Sequence, residues 1–405
     1  WMLIASTLFL FTTKALFNLP LLIMAVSGMV IVYKSYATLA KDREIKTMFL
    51  LFLCLAIPLL LSLPDAVWFK SASGTFYRYL LYPFISVFII ITLRHRVSRR
   101  YLLIACSGIA VFWMLDGLLQ FFLGKNLLGN PMKGDDITGM FYPKIIMGLV
   151  LSVLSPVLIE YVRNNYKKSY WLLLIIPVLL FIIIKGGSRS SWVTIFIVAI
   201  VYLLMFRRGI FAFLGIRGVL LSVLLLFGSG VALLQVDSVE RVVDKSVRVF
   251  SSNFESIDFA TSRRLSLWQV GWKAFEENRI NGIGARGFRY VFTDFAEDDN
   301  YWMQDGRSGS THPHFMLLEV ALETGLIGVL GLVIFFYILI RRYFSVSKEE
   351  REFMLPWLLA AIMAYFPFNM HMALYGSYWS SLSWWLLSIA IGMGAKTRSP
   401  HRGNG

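Results

Sequence analysis

The sequence divides into about a dozen apolar runs separated by short polar loops, and no other feature constrains its fold as tightly. One bilayer crossing takes roughly 20 mostly apolar residues. The runs fall at roughly 1–12, 16–33, 48–63, 77–93, 101–123, 142–162, 170–185, 191–206, 217–235, 314–340, 353–368 and 376–394. Hydrophobic residues make up 57% of the chain and charged residues only 16%, where soluble domains hold roughly 45–50% apolar residues. A soluble core could not hide that excess, so the solvent must be lipid. The expected fold is an all-α polytopic membrane protein of about 12 transmembrane helices. Both termini are short, so no additional soluble domain is expected, and no cleavable signal is evident. The chain opens at Trp1 with a short first run, which suggests that a few N-terminal residues are missing.

A net charge of +15 could point to nucleic acid. The positions of the charges exclude that reading. Lys34, Lys41, Arg43 and Lys46; Arg94, Arg96, Arg99 and Arg100; Arg163, Lys167 and Lys168; Arg207, Arg208 and Arg217; and Arg341, Arg342, Lys348 and Arg351 fill alternate loops. The intervening loops are poorer in cations, so the positive-inside rule makes the first set cytoplasmic. Both termini are then cytoplasmic, in agreement with an even helix count. The one long loop, about 236–313, falls in the periplasm. The chain thus reads as helices one to nine in 1–235, a periplasmic loop domain in 236–313, and helices ten to twelve with a cytoplasmic tail in 314–405. Loops of that length are usually functional or disordered, and this one is not low-complexity. Val239, Val242, Val243, Val247 and Phe250 form one helical face, and Leu265, Trp268, Trp272 and Phe275 another. Trp-rich faces suit the membrane interface.

Three polar segments share the periplasmic side. In Thr261-Ser-Arg-Arg-Leu-Ser-Leu-Trp268, Ser262 is a plausible N-cap, which places Arg263 and Arg264 in the first helical turn. Cations there oppose the helix dipole, and an anion would compensate them. In Lys185-Gly-Gly-Ser-Arg-Ser-Ser-Trp192, Arg189 opens a helix at the membrane surface, where a snorkelling arginine is the simpler explanation. In Ser310-Thr-His-Pro-His-Phe-Met-Leu-Leu-Glu-Val-Ala-Leu-Glu-Thr-Gly325, Pro313 fits the first helical position and His314 the opening turn. A helix N-terminus favours the neutral imidazole that a general base needs. Glu319 and Glu323, four residues apart, share one face. They serve either the site or an ion pair with Arg78 or Lys144. Asp116, mid-span in the fifth helix, reads as a packing or lining residue, and Glu160 is a further buried carboxylate.

Other patterns carry less. Cys54 and Cys106 lie in apolar runs, without disulfide or metal spacing. Gly282-Ile-Gly-Ala-Arg-Gly287 matches G-x-G-x-x-G but lacks the strand that a dinucleotide site needs; its glycines better serve a turn that positions Arg286 and Arg289. The acidic run at Glu297, Asp298 and Asp299, with Asp294 and Asp305 nearby, reads as a solvated loop rather than a metal site. No nucleotide site is visible, and the periplasm lacks nucleotide sugars, so any sugar donor on this side would be lipid-linked. Arginines can stabilise a pyrophosphate leaving group in place of a divalent metal.

Arg264-Leu-x-x-Trp268, then Gly282-x-Gly-x-x-x-Phe288, then His314 through Gly325, with Gly-Ser-Arg189 before the eighth helix, resembles the O-antigen ligase / O-antigen polymerase superfamily. The likeness covers the C-terminal half; the first half agrees only in helix count. Members often carry Asn after the motif histidine, where this chain has Phe315, and His312 could share the role. The resemblance implies a GT-C-like membrane fold and an enzyme of the inner membrane working on its periplasmic face. It implies inverting, metal-independent transfer without a cofactor. The donor would be an undecaprenyl-pyrophosphate-linked glycan. Of the family's activities, ligation to the lipid A core fits a compact chain with one dominant loop, and polymerisation on the carrier is the alternative. Arg189 and Arg264 would hold the pyrophosphate and His314 would activate the acceptor. Arg263, Arg286 and Arg289 would contact phosphates of donor or lipid A, and His312, Glu319 and Glu323 would assist substrate binding. A transporter or flippase for a lipid-linked anion is the rival class, but such folds show broken helices and internal repeats, and no clear repeat is present.

Overall fold

A computed structural model describes residues 1–206, 253–367 and 373–397. The expected helix at 217–235 and the apolar pattern from Val239 to Phe250 lie outside the described residues. Among the described residues there are helices, short 3-10 turns and two isolated bridges, with no strand. The helices are α1 (Met2–Leu10), α2 (Asn18–Leu39), α3 (Arg43–Leu61), α4 (Phe69–Tyr79), α5 (Tyr82–Leu93), α6 (Arg96–Leu123), α7 (Met147–Asn165), α8 (Ile175–Lys185), α9 (Arg189–Phe206), α10 (Phe254–Ala260), α11 (Arg264–Glu277), α12 (Phe288–Phe295), α13 (Met316–Phe344), α14 (Lys348–Ala364) and α15 (Ser377–Met393).

Seven of the described helical stretches are long and apolar enough to cross a membrane: α2, α3, the continuous α4–α5 stretch Phe69–Leu93, α6, α7, α9 and α13. The chain is a multi-pass membrane protein. The expected run at 1–12 is the nine-residue α1, too short to cross. At 17 residues each, α14 and α15 span about 26 Å, just under a hydrocarbon core of about 30 Å. They do not have to match lipid, because α15 packs on α5 and α14, and nearly all of its side chains are buried. Its serines supply polar contacts between helices: Ser388 lies 2.8 Å from Ser86, and Tyr82 donates to Ser380 at 2.8 Å. In a membrane such contacts hold helices together where apolar burial gives no preference.

Several helices run past the apolar stretches that marked them. α3 begins at Arg43, α6 at Arg96, and α14 at Lys348 behind a Ser347–Glu350 capping box. Charged residues end a hydrophobic run, yet they are good helix formers. The cation-rich loops meet at one end of the bundle. Arg342 contacts Glu44 at 2.7 Å, Arg96 contacts Glu349 at 2.6 Å, and Arg94 pairs with Asp42. At the other end, Val67 N–H donates to the Ile283 carbonyl at 3.0 Å, Ile137 N–H to Lys185 at 2.8 Å, and Arg189 to Ser262 at 2.7 Å. Among the described residues, the loops joined by these contacts fall at opposite ends according to their set.

The tenth expected helix is not continuous. α13 breaks at Gly325, whose φ of 66° and ψ of −166° lie in a region that only glycine adopts readily. The break frees the Leu322 carbonyl and the Leu326 N–H, which would bond to each other in an unbroken helix. The loop before α12 takes up both: Ile283 donates to Leu322 at 3.0 Å, and Leu326 donates to Arg279 at 2.8 Å. Irregular backbone at membrane depth is tolerated when protein satisfies it in this way. Gly282, with φ 70°, allows the approach, since a Cβ there would stand 2.5 Å from the Glu323–Thr324 main chain. A Cβ at Gly325 would stand 1.9 Å from the Ile280 carbonyl oxygen. Gly325→Ala should therefore destabilise the protein by at least about 1–3 kcal/mol from backbone strain alone. The readout is the melting temperature of the detergent-purified protein. Gly74→Ala, in α4 with open space around it, serves as the tolerated control. Equal melting temperatures for both variants would remove this account of the break.

Candidate active site

α11 organises the site. Its N-cap is Arg263, not Ser262, and both residues are left-handed, at φ 59° and 62°. Asp258 of α10 takes the capping role: its carboxylate accepts from the Ser266 N–H at 3.1 Å and from the Ser266 hydroxyl. The compensating anion expected at this helix start is thus partly supplied by the chain itself. Arg263 follows that carboxylate, 3.8 Å from Asp258, with its guanidinium 5.0 Å from the Tyr301 ring centre. Ser262, relieved of capping, accepts from Arg189 at 2.7 Å. This contact draws Arg189, at the start of α9, to the segment that carries Arg264. Burial, with the neighbouring Arg189 charge, lowers the Arg264 pKa to about 10. Two cations brought together at a partly desolvated place favour an anion between them.

The face of α11 that packs inward is Leu267, Val270, Ala274 and Phe275, against Phe288, Val291, Phe292 and Leu322. The tryptophan face turns outward, with Trp272 54% exposed. It borders an apolar groove of about 530 Å³ lined by Leu265, Trp268, Trp272, Phe315 and Leu318 among others. Arg264 and His314 are the sequence neighbours of two of these lining residues.

His314 is reached through Trp268, whose indole N–H donates to the Pro313 carbonyl at 3.1 Å. Trp268 lies one turn beyond Arg264, a rise of about 6 Å. α13 begins at Met316 with Phe315 as N-cap, so Pro313 is not at the first helical position and His314 precedes the opening turn. The α13 N-terminus is tied elsewhere, Leu317 N–H donating to Pro367 at 3.0 Å. His314 is left-handed at φ 53°, and its ring lies 3.9 Å from that of His312, centre to centre. Five described non-glycine residues have positive φ, and Ser262, Arg263, Arg286 and His314 are four of them. Strain of this kind, about 1–3 kcal/mol per residue, collects where function demands it.

Residues 172–333 match the family model described as O-antigen ligase. Over these residues the chain is similar to the O-antigen ligase family. That family covers O-antigen ligases and polymerases, glycosyltransferase-like enzymes of O-antigen processing. No curated protein matches the chain. The O-antigen ligase match spans Arg189, Arg264, His314 and every other site residue expected from the sequence.

A second basic group was only half legible. Arg286 and Arg289 stand near Arg78, which the sequence offered only as an ion-pair partner. Burial lowers the Arg286 pKa, and Arg289 and Arg78 lower it further. Arg289 donates to the Thr311 carbonyl at 3.3 Å and Arg78 to Tyr375 at 2.7 Å. The Nε atoms of all three are buried without hydrogen-bond partners among the described residues. Neither Glu319 nor Glu323 pairs with Arg78 or Lys144. Glu319 accepts from the main-chain N–H groups of Leu374 and Tyr375 at 3.0 and 3.3 Å, and Glu323 accepts from Arg286 N–H. Lys144 instead lies 5.4 Å over the Tyr378 ring. The shared face read from the spacing is real, but its partners are backbone groups, which spacing does not reveal. Asp116, seven residues from the end of α6, holds the following loop by accepting from Leu127 N–H at 2.9 Å. Asp258 and Trp302, which donates to the Arg263 carbonyl at 2.7 Å, carried no sequence signal.

Proposed function

We propose that the protein is an O-antigen ligase that moves a glycan from undecaprenyl pyrophosphate to the lipid A core on the periplasmic face of the inner membrane. The observation that carries this reading is the Arg189–Ser262 contact, which gathers Arg189 and Arg264 beside an apolar groove. A lipid-linked pyrophosphate asks for that pairing of cations and apolar surface. Arg189 and Arg264 hold the pyrophosphate. His314 accepts the proton of the acceptor hydroxyl as its oxygen attacks the anomeric carbon. The bond from that carbon to the phosphate oxygen breaks, with inversion, and the undecaprenyl pyrophosphate leaves with the charge. Fixed guanidinium groups stabilise that charge without the reorganisation that water would need. Arg286, Arg289 and Arg78 suit a further phosphate, of donor or acceptor. Arg263, directed to Asp258, has the weaker claim, and Glu319 and Glu323 hold the loops that present these residues.

The test is transfer by purified protein in nanodiscs, with undecaprenyl-pyrophosphate glycan, lipid A core and EDTA. Glycan should appear on lipid A core at an undiminished rate with the chelator present. Loss of activity in EDTA would remove the metal-independent mechanism. Longer glycan left on the carrier would make the protein a polymerase, and donor crossing the bilayer without covalent product would make it a transporter.

A further inference from the structure

At the opposite end of the bundle a cleft of about 470 Å³ is bordered by α6, α7, α14 and the end of α15. Its floor is apolar, built from Leu103, Ile104, Phe353 and Trp357. Four cations line it, Arg96, Arg99, Arg100 and Lys168, against two carboxylates, Glu160 and Glu352. Glu160 is already held by Arg163 through two contacts of 2.8 and 2.6 Å, and Arg96 by Glu349 at 2.6 Å. Arg100 and Lys168 form no ion pair with a described residue.

Arg99 is the informative member. It is 4% exposed. Its Nε donates to the Leu93 carbonyl at 2.6 Å, and one terminal nitrogen donates to the Gly392 carbonyl at 3.2 Å and to Ala395. The other terminal nitrogen, Nη1, is buried without a hydrogen-bond partner among the described residues. A buried guanidinium N–H without an acceptor is costly. An anion in the cleft would satisfy it and meet Arg100 and Lys168 as well.

We propose that this cleft binds an anionic lipid, with its phosphate among Arg99, Arg100 and Lys168 and its acyl carbons on the floor at Leu103, Ile104 and Trp357. Basic pockets at the ends of spanning helices select acidic headgroups in this manner. The apolar floor favours a lipid over a free phosphate, which would leave that surface wet. The site is independent of the glycan-transfer reading and faces the other side of the bundle.

The experiment is lipid titration of the delipidated full-length protein in detergent, read by native mass spectrometry and by the melting temperature. Phosphatidylglycerol should bind and raise the melting temperature, while phosphatidylcholine should do neither. The exposed pair Arg100→Gln and Lys168→Gln together should weaken phosphatidylglycerol binding roughly 25-fold, from about fivefold per cation. Unchanged affinity in that variant would overturn the proposal. So would equal binding of phosphatidylcholine, or stabilisation by inorganic phosphate alone as large as that by phosphatidylglycerol. A photoreactive phosphatidylglycerol added to the wild-type protein gives a check that no variant's folding can disturb. It should label peptides containing Leu103–Ile104 or Phe353–Trp357, and labelling confined to other regions would also overturn the assignment.

Discussion

Arg264→Ala should lower glycan transfer by about 100- to 1,000-fold, the range found when one fixed donor to a developing negative charge is removed. The measurement is the initial rate with saturating lipid A core, alongside the melting temperature to establish that the variant folds. The effect is expected to be large because the Arg189–Ser262 contact brings the Arg189 charge beside Arg264, and the partly buried setting of Arg264 strengthens each interaction. Arg264→Lys should recover little, since an ammonium cannot reproduce the planar fork that grips two phosphate oxygens. Removing Arg189 as well should cost less than the product of the two single losses, because both act on the same leaving group. A folded Arg264→Ala protein within a few-fold of the wild-type rate would end the assignment of this pair to the pyrophosphate.

His314→Asn should reduce transfer by about 100- to 10,000-fold, the usual weight of a positioned general base. Asparagine is the informative replacement. His314 has φ 53°, and asparagine accepts that conformation as readily as histidine does. The loop should therefore keep its shape while the titratable group is lost. His312→Ala should cost much less if His312 mainly supports the neighbouring ring, which lies 3.9 Å away. If His314→Asn worked normally and His312→Ala did not, the base would be His312 and the reaction scheme would otherwise stand.

The lipid-facing architecture was legible because one strong signal, the length of an apolar run, sets it. The helix ends were not, because Arg43, Arg96 and Lys348 end hydropathy without ending helix. The break at Gly325 was hidden for the opposite reason: Leu322-Glu-Thr-Gly-Leu326 lies between apolar runs at 316–322 and 326–340 that read as one helix. Within the candidate site, His314, Arg189 and Arg264 could be proposed from their motifs. The approach of Arg189 to Arg264 could not, because Arg189 and Ser262 are 73 residues apart and joined by one side-chain contact. Asp258 was missed because a capping carboxylate supplied by another helix leaves no local pattern. Of the face read from Leu265, Trp268, Trp272 and Phe275, Trp272 is exposed, but Phe275 is buried with Leu267, Val270 and Ala274 on an inward face that the spacing did not reveal.

The break in α13 also bears on how the chain is made. Synthesis runs from the N-terminus, so Arg279 and Ile283 leave the ribosome before Leu322 and Leu326 do. Under the proposed topology the loop that carries them has already crossed the bilayer when α13 enters it. The partners for the two freed backbone groups are therefore waiting on the far side, and the helix can insert already bent. Had the loop followed α13 in the chain, the same joint would have entered lipid with its hydrogen bonds open. The order of segments along the gene is in this sense part of the fold.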